Sequence, residues 1–461
     1  MTICVRILVS VGTGSRVILQ NLLYVGVDFK QKLVLYMRRC LLVFLFSLLV
    51  VPFSMGQQLD MELFEAMKPR NIGPAGMSGR VTAISAVIEN PDVIYAGTAS
   101  GGLWKSTSGG IKWDPIFDDQ PTHSIGSIGI FQDNPDVVWV GAGEGNPRNS
   151  QSAGNGLYRS LDGGETWTHL GLEESRNIHR IVLDPTDSNT ALIGVQGPAW
   201  GETAQRGVFR TTDGGKTLDK VLFVDEKTGV GDMVMDPSNP NHVLVGMWEF
   251  RRWPWFFKSG GPGSGLYETW DGGITWNQLT DKDGLPKGEL GRIGLAFSTN
   301  EPEIVYALVE AKKNALYRSE NGGKKWTMVN DDSNVNGRPF YYGEIYVDPE
   351  NENRVYKIET AIHVSEDGGK SFSQWQPGYA SNGVHPDHHA FWVSAKDPSF
   401  IIEGNDGGIS ITRDKGKSWR FVENLPVAQF YHINVDNEFP YNVMGGMQDN
   451  GSWIGPAYVW K

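Results

Sequence analysis

The stretch that decides the fold is Leu157-Tyr158-Arg159-Ser160-Leu161-Asp162-Gly163-Gly164-Glu165-Thr166-Trp167. A carboxylate at the position of Asp162 can accept hydrogen bonds from backbone N–H groups of its own turn. Gly163 and Gly164 supply the positive φ angles that a tight hairpin requires. Trp167 then begins the next strand and packs between neighbouring units. The stretch therefore predicts a compact turn that joins two β-strands.

The same pattern occurs seven times, and successive copies are 46 to 58 residues apart. A period of this length fits a four-stranded propeller blade. We predict an all-β, seven-bladed β-propeller over residues 57–426. A catalytic residue need not recur in every blade, so we interpret the turn positions as structural. These positions are Ser108, Asp162, Asp213, Asp271, Asn321, Asp367 and Asp414.

Each unit also contains two earlier strand-like runs, such as 128–131 and 137–141, separated by a turn rich in Pro and Asn. The predicted order is strand, Pro/Asn turn, strand, variable loop, strand, Asp turn, strand. A further half-unit follows at 430–435 and 443–446 without an Asp turn. Residues 427–461 are therefore predicted to begin a further blade or a second propeller in tandem, the alternative being strands that help close the ring.

Residues 1–56 resemble a secretory leader. Met37-Arg38-Arg39 is basic, residues 40–51 are apolar, and Ser54-Met55-Gly56 offers a cleavage site before Gln57. Residues 1–36 then form an over-extended start. We expect a secreted protein, extracellular or periplasmic, with no membrane span after cleavage; an uncleaved anchor is the alternative. Both cysteines, Cys4 and Cys40, lie in or before the leader, so the mature chain would have no disulfide.

The net charge of the whole chain is −12, and the sequence contains no basic run. Residues beyond 56 hold 35 Lys and Arg against 52 Asp and Glu, which gives −17. This balance argues against nucleic acid and anionic membranes as partners.

The two faces of the predicted ring differ. The turn face carries the short Asp turns and Pro/Asn turns, whereas the loop face carries the long loops between second and third strands and the links between units. Because function usually resides in long loops on a rigid scaffold, we expect a polysaccharide or peptide ligand on the loop face. Aromatic rings there can bind sugar faces; alternatively, they pack their own loops. The candidate ligand-binding residues are Arg80, Glu144, Trp200, Arg252, Trp253, Trp255, Tyr341, Tyr342 and His388.

A polar cluster runs from His385 to His389. In an extended segment, His385, Asp387 and His389 lie on one side, which suits a metal site, proton transfer or a hydrogen-bonded plug. The candidate catalytic groups are Asp387, His385, Asp406 and Asp449. No cofactor is predicted.

The repeats resemble those of Asp-box (BNR) propellers, which include the family 74 xyloglucanases and the sortilin (VPS10) N-terminal domain. The xyloglucanase resemblance implies two tandem propellers, each contributing one catalytic Asp to the cleft between them. In the matching stretch, Gly73 to Val81, Gly79 or Arg80 occupies the place of the first Asp. Arg80 cannot activate water as a second carboxylate does. It would bind an anion or pair with a neighbouring carboxylate.

The resemblance therefore implies a secreted, glycan-handling propeller that does not hydrolyse its ligand as this chain alone. The alternative is a sortilin-like propeller that binds peptides or partner proteins without being an enzyme.

Overall fold

The computed structural model describes residues 31, 33–42, 79–375 and 384–458. The chain divides into two compact units, Met1–Arg70 and Asn71–Lys461. In the first, residues 33–42 are helical and exposed; most of the predicted leader, including its cleavage site, lies outside the described residues. Among the helices that are described, none is long and apolar enough to cross a membrane.

The described part of the second unit consists of antiparallel sheets whose strands follow one another in chain order. The first sheet contains β1 (Val81–Ala86), β2 (Ile94–Thr98), β3 (Leu103–Ser106) and β4 (Asp114–Pro115). The second contains β5 (Ile125–Ile130), β6 (Val138–Ala142), β7 (Leu157–Ser160) and β8 (Thr168–His169). The third contains β9 (Ile178–Asp184), β10 (Asp187–Val195), β11 (Gly207–Thr211) and β12 (Asp219–Leu222).

The fourth sheet contains β13 (Thr228–Asp236), β14 (Asn239–Trp253), β15 (Phe256–Ser259), β16 (Gly265–Thr269) and β17 (Asn277–Leu279). The fifth contains β18 (Ile293–Phe297), β19 (Val305–Val309), β20 (Ala315–Ser319) and β21 (Thr327–Asn330). The sixth contains β22 (Glu344–Asp348), β23 (Asn351–Ile358), β24 (Ile362–Ser365) and β25 (Ser373–Gln374). The seventh contains β26 (His388–Val393), β27 (Ile401–Asn405), β28 (Gly408–Thr412) and β29 (Arg420–Phe421). Two short 3-10 turns, Glu173–Ser175 and Asp281–Asp283, lie in links between sheets.

The repeated turns are held by the side chain at the Asp position. Asp162 accepts hydrogen bonds from the Ser160 hydroxyl at 2.6 Å and from the Thr166 backbone N–H at 2.9 Å. These hydrogen bonds stabilise the ionised carboxylate and lower the pKa of Asp162 to about 2, and the bond from Ser160 has the largest effect. Gly163 and Gly164 have φ angles of 69° and 96°, as such a turn requires. The same arrangement recurs at Asp213, Asp271, Asn321, Asp367 and Asp414.

The core lies between neighbouring sheets. Leu244 and Leu266 of the fourth sheet, for example, pack with Ile293, Val305 and Trp326 of the fifth. Each fully buried side chain of this kind contributes about 1.5–3 kcal/mol. The first strands of successive sheets also pack side by side, in the order β1, β5, β9, β13, β18, β22 and β26, and β26 packs against β1. The four-stranded sheets predicted from the repeats are therefore confirmed.

A three-stranded sheet follows, formed by β30 (Phe430–Val435), β31 (Asn442–Met447) and β32 (Ser452–Pro456). Its first two strands coincide with the half-unit predicted from the sequence. Large apolar side chains of this sheet are exposed, among them Tyr431, Ile433 and Ile454. Unlike the earlier sheets, it leaves most of its surface uncovered.

Candidate functional site

The long loops of the loop face contact one another. The β14–β15 hairpin extends outward from the fourth sheet, and its Arg252 backbone N–H donates to the carbonyl of Ala199 at 2.7 Å. The Arg252 side chain also donates to Asn149, in the loop between β6 and β7. In that loop, the guanidinium of Arg148 lies 5.0 Å from the ring centre of Tyr341. The tryptophan-rich and tyrosine-rich loops therefore meet on one face, as the alternation of connections predicts.

Arg80 sits at the centre of this face, just before β1. Its Nε donates to Asp406 Oδ1 at 2.7 Å, and its Nη1 donates to Glu144 Oε2 at 3.1 Å. All three side chains are buried. Of the two uses foreseen for Arg80, the structure shows pairing with neighbouring carboxylates. Burial raises the pKa of Glu144 to about 7, although Arg80 and the backbone N–H of Ser152 oppose this shift.

Asp406 lies in the turn between β27 and β28. It also accepts hydrogen bonds from His389 Nε2 at 3.0 Å and from the Tyr341 hydroxyl at 3.3 Å. Burial alone would raise the pKa of Asp406, but His389 and Arg80 outweigh burial and hold it well below its usual range. Asp406 is thus a permanently ionised centre of a polar network and not a group ready to exchange protons near neutrality.

The segment His385 to His389 is not extended, which removes the basis of the predicted His385, Asp387 and His389 triad. Asp387 has a φ angle of 67°, so the alternation of side chains is broken there. His385 Nδ1 contacts the carbonyl of Pro386 at 2.6 Å, whereas His389 bonds to Asp406. His388, a candidate ligand contact, is buried with its Nδ1 2.7 Å from Glu403 Oε2.

Three carboxylates come together instead. Oxygens of Asp387, Asp406 and Asp449 all lie within 4.8 Å of one another. Asp387 also accepts a hydrogen bond from Tyr342, and Asp406 is paired with Arg80. All three were candidates from the sequence, and they are the described residues that could hold a metal ion. Two of the three, Asp387 and Asp406, therefore already accept hydrogen bonds from other side chains.

The aromatic candidates divide into two groups. Tyr341 and Tyr342 are buried against His389, which Tyr341 meets edge-on and Tyr342 stacks upon, so they build the floor of the face. Trp255, at the tip of the β14–β15 hairpin, is 82% exposed, and Trp200 is 44% exposed. Trp253 is half-buried and stacks on Phe256. The indole rings, unlike the two tyrosines, are therefore presented to solvent.

A second polar cluster was not predicted. Arg180 donates to Asp232 at 2.6 Å and pairs with Glu344 at 3.1 Å, while Arg292 lies 2.9 Å from His179 Nε2. Burial and the two arginines lower the pKa of His179 well below its usual value, so this ring is neutral. The five residues come from four sheets or the links before them. Because they are far apart in the sequence, no local spacing indicates that they form a cluster.

Arg180 and Glu344 also line two cavities between the first strands. One, of about 190 Å³, is additionally lined by Thr82, Ser127 and His389. The other, of about 660 Å³, opens among the Pro/Asn turns at Pro185, Pro237 and Pro349. The turn face, for which the sequence predicted no site, therefore contains a substantial cavity with mainly apolar walls.

Comparisons with known proteins agree with this architecture. A family model described as sortilin, neurotensin receptor 3, matches residues 155–287. A xyloglucanase of a Paenibacillus species is 24% identical over 350 residues, which is 67% of this chain and 32% of that protein. A xyloglucanase of Hypocrea jecorina (strain QM6a) is 30% identical over 185 residues, which is 37% of this chain and 21% of that protein. The chain thus spans a third or less of these relatives.

Two solved structures have the same fold. The GH74 enzyme of Niastella koreensis superposes with a TM-score of 0.60 at 17% identity, covering 84% of this chain and 60% of that chain. An ancestral GH74 enzyme gives a TM-score of 0.60 at 18% identity, covering 84% of this chain and 54% of that chain.

The sheets, their order and these structures define a β-propeller. Among propellers, the matches confirm the resemblance to the xyloglucanase and sortilin types.

Proposed function

We propose that this chain is a secreted, glycan-binding propeller that holds its ligand on the loop face. The observation that carries the proposal is the display of Trp200, Trp253 and Trp255 around an outward hairpin. Indole rings held in this way suit the apolar faces of sugar rings. The similarity to xyloglucanases supports glycan over other ligands. The apolar stretch 40–51 after Arg38-Arg39 supports secretion.

For the whole domain, we propose seven blades, formed by β1 to β29, and a second propeller that begins with β30. The packing of β26 against β1 supports a closed ring of seven. The exposed apolar side chains of the last sheet support its continuation into further blades. On this proposal, the ligand would be shared between two propellers.

The chain alone does not hydrolyse the glycan on this proposal. Where the resemblance calls for a catalytic Asp, Arg80 is locked between Asp406 and Glu144. A glycosidase of either stereochemistry requires one carboxylate that protonates the leaving group and a second that acts as base or nucleophile. Asp406 is held ionised by Arg80 and His389, which leaves it unsuited to the acid role.

A peptide ligand is the second candidate, because the sortilin model covers residues 155–287, which include the β14–β15 hairpin. The same exposed indoles would then contact apolar peptide side chains.

The test is a binding titration of the purified chain with xyloglucan and with a random peptide library. We expect glycan binding, and we expect Trp253→Ala with Trp255→Ala to weaken it at least about tenfold, since ring stacking contributes about 1.5 kcal/mol. Trp270→Ala is the matched control, because Trp270 is 40% exposed on the turn face. Peptide capture without glycan binding, abolished by the same double variant, would establish the second candidate. An equal loss of glycan binding in Trp270→Ala would show that the substitutions had lowered stability and had not removed contacts with the ligand.

A further inference from the structure

Four arginines of the loop face lie close to aromatic rings. Arg338 lies 5.3 Å from the ring centre of Tyr341, the same ring that Arg148 approaches to 5.0 Å. Arg251 lies 5.7 Å from the ring of Trp253, and Arg252 lies 5.8 Å from that of Phe257. A guanidinium beside a ring can still bind an anion through the N–H groups that other residues do not use.

None of these four arginines forms an ion pair with a carboxylate in the part of the chain that the structure describes. Nearby acids have other partners, since Asp406 is paired with Arg80 and Asp387 bonds to Tyr342. The Tyr342 hydroxyl does not neutralise Asp387, and the charge of Asp406 still acts on Arg148. In a chain whose net charge is −12, arginines without a paired carboxylate are nevertheless available to an anionic ligand.

Three of the four arginines, Arg148, Arg252 and Arg338, form one connected band, whereas Arg251 lies with Trp253 on the other face of the β14–β15 hairpin. Arg338 and Arg148 share the ring of Tyr341, and Asn149, next to Arg148, accepts a hydrogen bond from Arg252. A fifth arginine, Arg206, is buried beneath the band and donates to the carbonyls of Gln196, Pro198 and Gly201. Its guanidinium lies against the ring of Phe250, with carbonyl oxygens and no carboxylate as partners. The band therefore joins the hairpin, the Trp200 loop and the central network.

We propose that this band binds an acidic glycan, whose carboxylate or sulfate groups lie against the guanidinium groups of Arg148, Arg252 and Arg338. The inference rests on the proposed function and specifies the class of glycan. Planar carboxylates and sulfates match the paired N–H groups of arginine. The exposed indoles of Trp200 and Trp255 on the same loop face favour a sugar polymer, which presents both apolar ring faces and anionic groups.

The experiment is calorimetric titration of the full chain with polygalacturonate, its neutral methyl ester, a sulfated galactan and neutral xyloglucan. We expect at least one acidic polymer to bind about tenfold more tightly than both neutral polymers, with an affinity that falls as salt rises. Binding of polygalacturonate would identify carboxylate as the recognised group, and binding of the sulfated galactan would identify sulfate. Arg148→Gln with Arg338→Gln should weaken that binding about tenfold or more.

Lys324→Gln is the matched control, because Lys324 is an exposed cation 4.6 Å from the ring of Trp270 on the turn face. Arg338→Gln alone serves if the double variant does not fold, since Arg338 is exposed. Equal binding of neutral and acidic polymers, unchanged in the arginine variants, would overturn the inference and leave glycan binding intact. Binding of polyglutamate in preference to every glycan would overturn it in favour of an acidic protein partner. Failure to bind any polymer would refute the proposed function itself.

Discussion

Replacing Glu144 by Gln should lower the stability of the chain at pH 4 and raise it at pH 8. Glu144 is fully buried, and burial raises its pKa from 4.5 to about 7 against the attraction of Arg80. An acid whose pKa is raised by folding binds its proton more tightly in the native state, so it destabilises the fold as pH rises. The difference between 4.5 and about 7 corresponds to about 3 kcal/mol. That cost is absent below pH 4.5 and complete above pH 7.

Gln removes this cost but also loses a hydrogen bond. Its oxygen can still accept the Ser152 N–H, which lies 2.6 Å from Glu144 Oε1. Its NH₂ group then faces Arg80 Nη1, another donor, which costs about 1 kcal/mol at every pH. We therefore expect Glu144→Gln to be about 1 kcal/mol less stable than the native chain at pH 4 and about 2 kcal/mol more stable at pH 8.

The assay is urea unfolding of both proteins at several pH values, with the difference in free energy of unfolding plotted against pH. Buried histidines such as His179 and His389, whose pKa values are lowered by burial, affect both proteins alike and cancel in this difference. Glu165→Gln is the matched control for the loss of a carboxylate, because Glu165 is exposed. A flat difference for Glu144→Gln, or one that falls with pH, would refute the reasoning.

Two further changes test the same structure. Arg80→Met should destabilise the chain by about 3–5 kcal/mol at pH 8, since it leaves Asp406 and Glu144 buried without a cation. Arg80→Lys should recover part of this loss. A loss below about 1 kcal/mol for Arg80→Met, measured by thermal unfolding, would contradict the prediction. Asp162→Ala should cost about 1 kcal/mol through the lost turn bonds. Asp119→Ala, at an exposed site, should leave the melting temperature unchanged, and equal shifts for both alanine variants would show that the turn bonds contribute nothing.

The repeated turns were predictable because their chemistry is local. Ser160, Asp162 and Thr166 bond to one another within seven positions, so the sequence itself contains the whole interaction. Four-stranded sheets follow from the spacing of such turns. The pairing of Arg80 was foreseen as one of two uses, but the sequence did not identify Asp406, which is 326 positions away.

The remaining features depend on long-range contacts. His179, Asp232, Arg292 and Glu344 meet only because the first strands of four sheets converge, and each residue is unremarkable in its own segment. The sequence alone did not distinguish Tyr341 and Tyr342 from Trp255. In the fold, the two tyrosines are buried against Arg80 and His389, whereas Trp255 is exposed. Asp387 adopts a positive φ angle where alternation assumed an extended chain. In each case, the surrounding fold decides which way a side chain faces.

The packing of the seventh sheet against the first has a consequence for biosynthesis. Their shared core joins Val81 and Ile94 to Ile402 and Ile411, and Arg420 donates to the carbonyl of Gly109, 311 positions earlier. The two sheets come from opposite ends of the domain's sequence, so the seam forms only after nearly the whole domain has left the ribosome. Until then, the outer flank of the first sheet is an uncovered apolar surface in a nascent chain. Each molecule must therefore pass through an aggregation-prone intermediate, which ends when the seventh sheet packs on the first.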